Sequence, residues 1–458
     1  MMDEVNVSEI SKISDTNIVD KKPKKSKEDV TRRKFIAGLA GTGAASAAAY
    51  WFVARDSGQI VAKGFETPTD PVVNLELQDV TTASTLMPND IRLKEGLAYP
   101  GPVKERILVL IELQGGNDGA STVVPYGDSK YYDLRPNLGI AQEDVLAIDD
   151  YIGLNPALAD LYKRQLAVVE GVGNTSGSLS HFTNQKLWYS GGGTGSSSGY
   201  LAQLADCLKK NQNSPGLLAL SAVGYAPQLN GIESTQLSLT NVNQLNILKR
   251  EDYIYPKYHA ALKSFSGGPF TTEMSKNWNK LFSLSDDIPG VPEIEKENPM
   301  IKDGGTLGKQ LWVAADFIKS GAGTRVIHAK LGGFDTHTNH KSRHANLMKQ
   351  VNAAVNGFLS KIDEMGMTDR VLVALTSEFG RRAKENGPGF DHGNGSTLMV
   401  FGPVVPGRHG VANKFNNLDD RGNLKTQVPY DSYLRTLSKE WLGCEEILPE
   451  SEPLVGLI

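Results

Sequence analysis

Cysteine is nearly absent from this 458-residue chain: only Cys207 and Cys444 occur, far apart and in no CxxC pair. That excludes a structural zinc cluster built on thiolates, and it leaves room for at most one disulfide, which sequence spacing cannot test. Charge of one sign is lacking too. The 48 basic and 52 acidic residues leave a formal net charge of -4, the wrong sign for a non-specific nucleic-acid binder. No GxGxxG follows a strand, which disfavours a dinucleotide site and a dehydrogenase. The glycine-rich GGGTGSSSG at 191–199 lacks the GK[ST] of a phosphate-binding loop and reads as a flexible connection. No internal repeat is visible.

What is present is the balance of a globular protein, 40% hydrophobic and 22% charged, with 47 glycines for many tight turns. Residues 1–54 stand apart. After a polar stretch with a basic KKPKKSK run comes Arg32-Arg33-Lys34-Phe35-Ile36 and an Ala/Gly-rich apolar run to Ala54. This resembles a twin-arginine export signal. It implies handling by the twin-arginine translocase, which moves folded proteins, and a periplasmic or extracellular destination. Residues 35–54 are also long enough to anchor in a bilayer, at about 1.5 Å per residue against a core of about 30 Å. No clear cleavage site closes the run, so cleavage and membrane retention both stand.

Residues 55–104 read as a linker, and residues 105–458 as one α/β domain with an insertion or cap at about 200–300, where no chemistry is legible. RILVLIEL (106–113), LAVVEGV (166–172), RVIHAKL (325–331), RVLVALTS (370–377) and STLMVFG (396–402) are apolar runs of buried-strand type. Helices are expected over 157–165, 306–320 and 344–366, the last with Leu347, Val351, Val355, Phe358, Leu359 and Ile362 on one face. Alternation of this kind predicts a mostly parallel central sheet flanked by helices. In such sheets ligands bind beyond the carboxyl ends of the strands, and there the chain places its polar loops.

LGGFDTHTNHKSRH (331–344) holds three of the eight histidines. Asp335, His337 and His344 are candidate ligands for zinc, manganese or iron. His340, between Lys341 and Arg343, reads as the most solvated member. FDHGNG adds Asp391 and His392 as ligands or an acid/base pair, with an Asx turn as the plain alternative. SEFGRR adds Glu378 and Arg381, which are a ligand and an anion grip or simply an ion pair three residues apart. QGGNDG adds Asn117 and Asp118, as ligands or as turn residues. In SGSLSHF the hydroxyls of Ser176, Ser178 and Ser180 precede His181, an order compatible with an activated nucleophile or with an ordinary loop.

Taken in order, the Arg32-Arg33 signal, GGNDG with YYDLRPNL, SHF, GGFDTH, His344, TSEFGRR and DHGNG resemble the exported family known as domain of unknown function 1501, over about residues 106–410. That family is similar to the alkaline phosphatase and sulfatase superfamily. The resemblance implies that fold, a nucleophile near Ser176 to Ser178, a metal loop at GGFDTH and a late ligand at His392. TSEFG departs from the superfamily's Thr-Ser-Asp-His-Gly, because Glu378 replaces its Asp and Phe379 its His. The Cys-x-Pro-x-Arg signature is absent, which excludes a formylglycine sulfatase.

The expectation is a metal-dependent hydrolase of a small anionic ester, phosphate or sulfate, or of a glycan-type substrate. Asp335, His337 and His392 lead the ligand set for a divalent cation, zinc or manganese, of open number. Asp118 and Glu378 hold a second metal or orient the first. His181 and Arg381 handle protons and anion charge. The alternative is a non-catalytic periplasmic or surface binding or assembly protein that retains the fold. A phosphosugar isomerase or mutase is the third option.

Overall fold

A computed structural model describes residues 97–458, apart from 177, 192–197, 213–218, 232, 233, 235, 240–271 and 273–294. The export signal, most of the linker and much of the 200–300 segment therefore lie outside the described residues.

The chain's longest apolar runs become the middle of one nine-stranded sheet. In chain order its strands are β1 (Ile107–Gln114), β2 (Leu166–Gly173), β3 (Ala219–Ser221), β4 (Gln236–Ser238), β5 (Val326–Gly332), β6 (Val371–Thr376), β7 (Ser396–Phe401), β8 (Gly407–Gly410) and β9 (Val428–Pro429). Their spatial order is β8-β2-β7-β6-β1-β5-β3-β4, with β9 also on β2. β1 lies between β6 and β5 and is parallel to both. Only β7 runs antiparallel to its neighbours β2 and β6. The sheet is thus mostly parallel, and its central strands are apolar on both faces because both are covered.

Alternation along β1 splits the core. Val109, Ile111 and Leu113 join one cluster with Leu311 and Phe317 of α3 (Gly305–Ser320) and Val351, Val355 and Phe358 of α4 (His340–Glu364). Leu108 and Leu110 face the opposite cluster, with Trp188 of α1 (His181–Tyr189), Leu201 and Leu204 of α2 (Tyr200–Gln212) and the carboxyl-terminal Tyr433 and Trp441. The disulfide Cys207–Cys444 ties α2 to that carboxyl-terminal segment, with Cα atoms 6.1 Å apart.

Two local expectations need correcting. The helix expected over 157–165 is a pair of 3-10 turns, Pro156–Leu158 and Leu161–Lys163. Asn155 caps the first, and Arg164 is drawn to Asn356, Ser360 and Asp363 of α4. That tertiary anchoring outweighs the weak propensity of so short a helix. The long helix also starts four residues early. Asn339 takes the left-handed conformation (φ 52°) just before His340, a turn that Asn tolerates. Among the described residues no helix is long and apolar enough to cross a membrane.

Candidate metal centre

The parallel strands all end at the same edge of the sheet. β1 delivers Gly115 there, β2 the loop to His181, β5 the loop to Asp335, and β6 Glu378. β7 runs the other way, so its start, preceded by Asp391 and His392, reaches that edge as well. Five loops distant in sequence meet because of strand direction alone.

Close approach at this edge needs glycine. Gly115 and Gly116 have φ of 118° and 78°, and a Cβ on Gly115 would lie 2.5 Å from the Asp335 amide nitrogen. One on Gly116 would lie 2.2 Å from the Phe379 ring. The two glycines let β1's end slide beneath the loops that carry Asp335 and Glu378.

At the centre stands the Asp335 carboxylate. Its Oδ1 is 3.1 Å from His337 Nε2 and 3.4 Å from His392 Nε2, and its Oδ2 is 3.7 Å from His181 Nε2. One ligand atom each from His181, Asp335 and His392 lie within 4.8 Å of one another. His337 Nε2 is 3.1 Å from His392 Nε2. The other ring nitrogens are already engaged. His181 Nδ1 is 2.9 Å from Glu378 Oε1, His392 Nδ1 is 2.8 Å from the Leu179 carbonyl, and His337 Nδ1 is 3.4 Å from Asp391 Oδ1. An acceptor at Nδ1 holds the ring proton there and turns the Nε2 lone pair inward. This pairing is the usual support of metal-ligating histidines.

Glu378 makes no ion pair with Arg381. It accepts the Gly115 amide at 2.9 and 3.0 Å and the Gln185 amide at 3.2 Å, besides facing His181. Burial pushes its carboxyl up, but the His181 and Gly115 hydrogen bonds outweigh that and leave it below the ordinary range. Arg381 is 0% exposed in its side chain. It donates to the carbonyls of Gly116, Phe390, Phe334 and Gly115 and, at 2.7 Å, to Asp335 Oδ1. It is fully used within the protein and steadies Asp335. Partial burial raises the Asp335 carboxyl, and the Arg381 hydrogen bond and charge bring it down below its usual value. Burial lowers the His392 imidazole despite the Leu179 contact. Neutral imidazoles and ionised carboxylates are the forms that bind metals.

Asp118 and His344 lie in a different cluster, which is fully buried. Asp118 pairs with Arg135 at 2.6 Å and accepts from Ser121. His344 Nε2 is 3.0 Å from Asn117 Oδ1. His340 stacks on His344, with centroids 4.9 Å apart, and its Nδ1 is 2.8 Å from the Thr336 hydroxyl. The solvated reading of His340 is therefore wrong: it is 2% exposed, while Lys341 and Arg343 point to water. Through Thr336 this cluster underpins the loop between Asp335 and His337. Ser176 and Ser180 are exposed and Ser178 is half-buried. The hydroxyls of Ser176 and Ser178 accept from amides of their own loop.

Sequence reasoning gave His181 to proton transfer; its Nε2, 3.7 Å from Asp335 Oδ2 and grouped with His392, makes it a candidate ligand as well. The available signal was its place at the start of a helix after β2, on the sheet edge shared by the other loops. The roles of Leu179, Gln185 and Arg135 were not read from the sequence, since each acts through a backbone carbonyl or across a long separation, although Arg135 lies in the YYDLRPNL motif.

No curated protein matches the chain. Similar solved structures include PsFucS1 sulfatase from Pseudoalteromonas sp., at 10% identity over 75% of this chain and 68% of that one, TM-score 0.35. The phosphonate monoester hydrolase of Agrobacterium radiobacter is similar at 11% identity, 76% and 78% coverage and TM-score 0.34. A mutant of TAB5 alkaline phosphatase, with Mg bound in the M3 site, is similar at 12% identity, 77% and 99% coverage and TM-score 0.31. Scores this low leave the chemistry to the chain's own residues. Residues 167–416 match the family described as Protein of unknown function (DUF1501); that is more than half of the chain, which therefore belongs to the DUF1501 family.

Proposed function

We propose that the chain is an exported hydrolase that uses one divalent cation to cleave a phosphate or sulfate ester. The observation that carries this reading is the orientation of three imidazoles. His181 and His392 each have Nδ1 hydrogen-bonded to an acceptor, His337 Nδ1 lies 3.4 Å from Asp391 Oδ1, and all three turn Nε2 toward the Asp335 carboxylate. Two Nε2 lone pairs 3.1 Å apart repel unless a proton or a cation lies between them. Nitrogen and carboxylate donors in this number suit zinc, and manganese less well.

In this reading Asp335, His181 and His392 hold the cation, with His337 beside them. Bound there, it would polarise the ester oxygen and stabilise charge on the leaving group. Arg381 fixes the Asp335 carboxylate, and Glu378, Leu179 and Asp391 fix the rings. The attacking hydroxyl belongs to the loop of Ser176, Ser178 and Ser180, which leads directly into His181. Phe379 supports one cation over two. Its ring packs 4.8 Å from His181 and 4.7 Å from His392, centroid to centroid, and so closes one side of the site with carbon. Export is supported by Arg32-Arg33 and by the disulfide, since disulfides persist in oxidising compartments.

The same Phe379 wall favours the rival reading, a binding or assembly protein without turnover. Purified protein assayed on phosphatase, phosphodiesterase and sulfatase substrates, with and without chelator, separates them. Chelator-sensitive hydrolysis is expected. Absence of turnover on every substrate, with metal bound, would favour the rival.

A further inference from the structure

α1 carries more than a ligand. His181 opens it, and the next residue, Phe182, is 88% exposed. An exposed phenyl ring forgoes hydrophobic burial, so this ring adds little to the fold. Phe182, Gln185, Lys186 and Tyr189 lie at i, i+3, i+4 and i+7, one face of the helix. With Pro227 and Asn230 they line an open groove of about 300 Å³, the lower end of the size range of small-ligand sites. The groove adjoins the metal centre through Gln185, one of its walls, which donates to Glu378, the partner of His181. Asn230, another of its walls, donates to the hydroxyl of Tyr225, a second exposed ring. Lys186 is exposed and has no carboxylate partner among the described residues.

We propose that this groove binds the pyranose next to the scissile ester, so that the substrate is an anionic glycan; this rests on the hydrolase reading above. A pyranose has an apolar C–H face that suits a flat exposed ring and hydroxyls that suit amide and hydroxyl partners. Lys186 complements a further sulfate or phosphate on the same chain. A simple aryl or alkyl ester would use the ring and leave Lys186 and Asn230 idle.

The test is calorimetric titration of the chelator-treated full-length protein, so that binding is read without turnover. The probes are a carrageenan hexasaccharide, dextran sulfate, a phosphorylated mannose oligosaccharide and unsulfated dextran. At least one anionic probe is expected to bind and dextran to bind more weakly. Phe182→Ala is expected to lose roughly fivefold or more in affinity, with the melting temperature unchanged because the ring is exposed. Lys186→Ala is expected to weaken the anionic probe and leave dextran alone. Asp335→Ala/His392→Ala is expected to retain binding. Binding of no probe, or equal affinity in Phe182→Ala and wild type, would overturn the groove; equal affinity would mean that charge alone holds the polymer. Failure of the hydrolase reading shows separately, as wild-type protein that takes up no metal yet still binds glycan through Phe182.

Discussion

Arg381 holds the Asp335 carboxylate through a 2.7 Å hydrogen bond. A guanidinium locked on four carbonyls cannot follow a substrate, but it can keep one carboxylate oxygen fixed beside three imidazoles. Arg381→Lys replaces a planar fork with a single point donor, and we expect it to lower metal affinity while the chain still folds. Glu378→Gln is a finer probe. It keeps the volume and the Gln185 neighbour but weakens the acceptor at His181 Nδ1. A loss of about 10–100-fold in zinc affinity is expected, measured by competition with a chelating dye. Unchanged affinity would remove His181 from the ligand set. The gathering of these residues at one sheet edge was partly legible beforehand. Asp335, His337 and His392 stood out by type and by following or preceding strands. The division between Glu378–His181 and Arg381–Asp335 did not, because each partner lies more than forty residues from the other and a local pair three residues apart was the simpler reading.

At the scale of elements, strand direction explains why the site exists, and strand direction follows from hydrophobic runs that were readable as runs. Five strands and two long helices were legible to within a few residues for that reason. The 157–165 segment was not, since its spacing fits a helix and only contacts with α4 decide against one. The buried cluster between the β1 loop and α4 was also hidden, because Arg135 sits in a segment with no periodicity. That cluster makes α4 sensitive to acid. Burial and neighbouring positive charge push His340 down to about 3, and burial pushes His344 down to about 4. In the unfolded chain both would titrate near 6.5. Above that value the folded and unfolded chains carry the same number of protons on these rings. Below it the unfolded chain binds protons that the folded chain refuses, so stability falls as pH drops from about 6.5 toward the folded values. Urea titrations between pH 7 and 4.5 are expected to show midpoints falling with acid, and less steeply in His340→Gln. Removing one side of the buried pair, as in Asp118→Ala, is expected to cost about 3–5 kcal/mol by leaving Arg135 charged in the interior.

For the whole molecule, the disulfide joins residues 237 apart in sequence, so it restrains about half of the 458-residue chain when unfolded. Cys207→Ser/Cys444→Ser is expected to lose about 2–5 kcal/mol, read as a lower melting temperature, with metal affinity unchanged because neither sulfur nears the centre. The pairing was not legible: two cysteines permit it, and only the packing of α2 against the carboxyl-terminal segment brings them together. The central claim concerns the cation. Elemental analysis by mass spectrometry of full-length protein, dialysed after zinc loading, tests it most directly. One equivalent per chain in wild type, lost in Asp335→Ala/His392→Ala with the fold intact by circular dichroism, is the predicted result. No stoichiometric metal in wild type, or one equivalent retained by the double variant, would contradict the account.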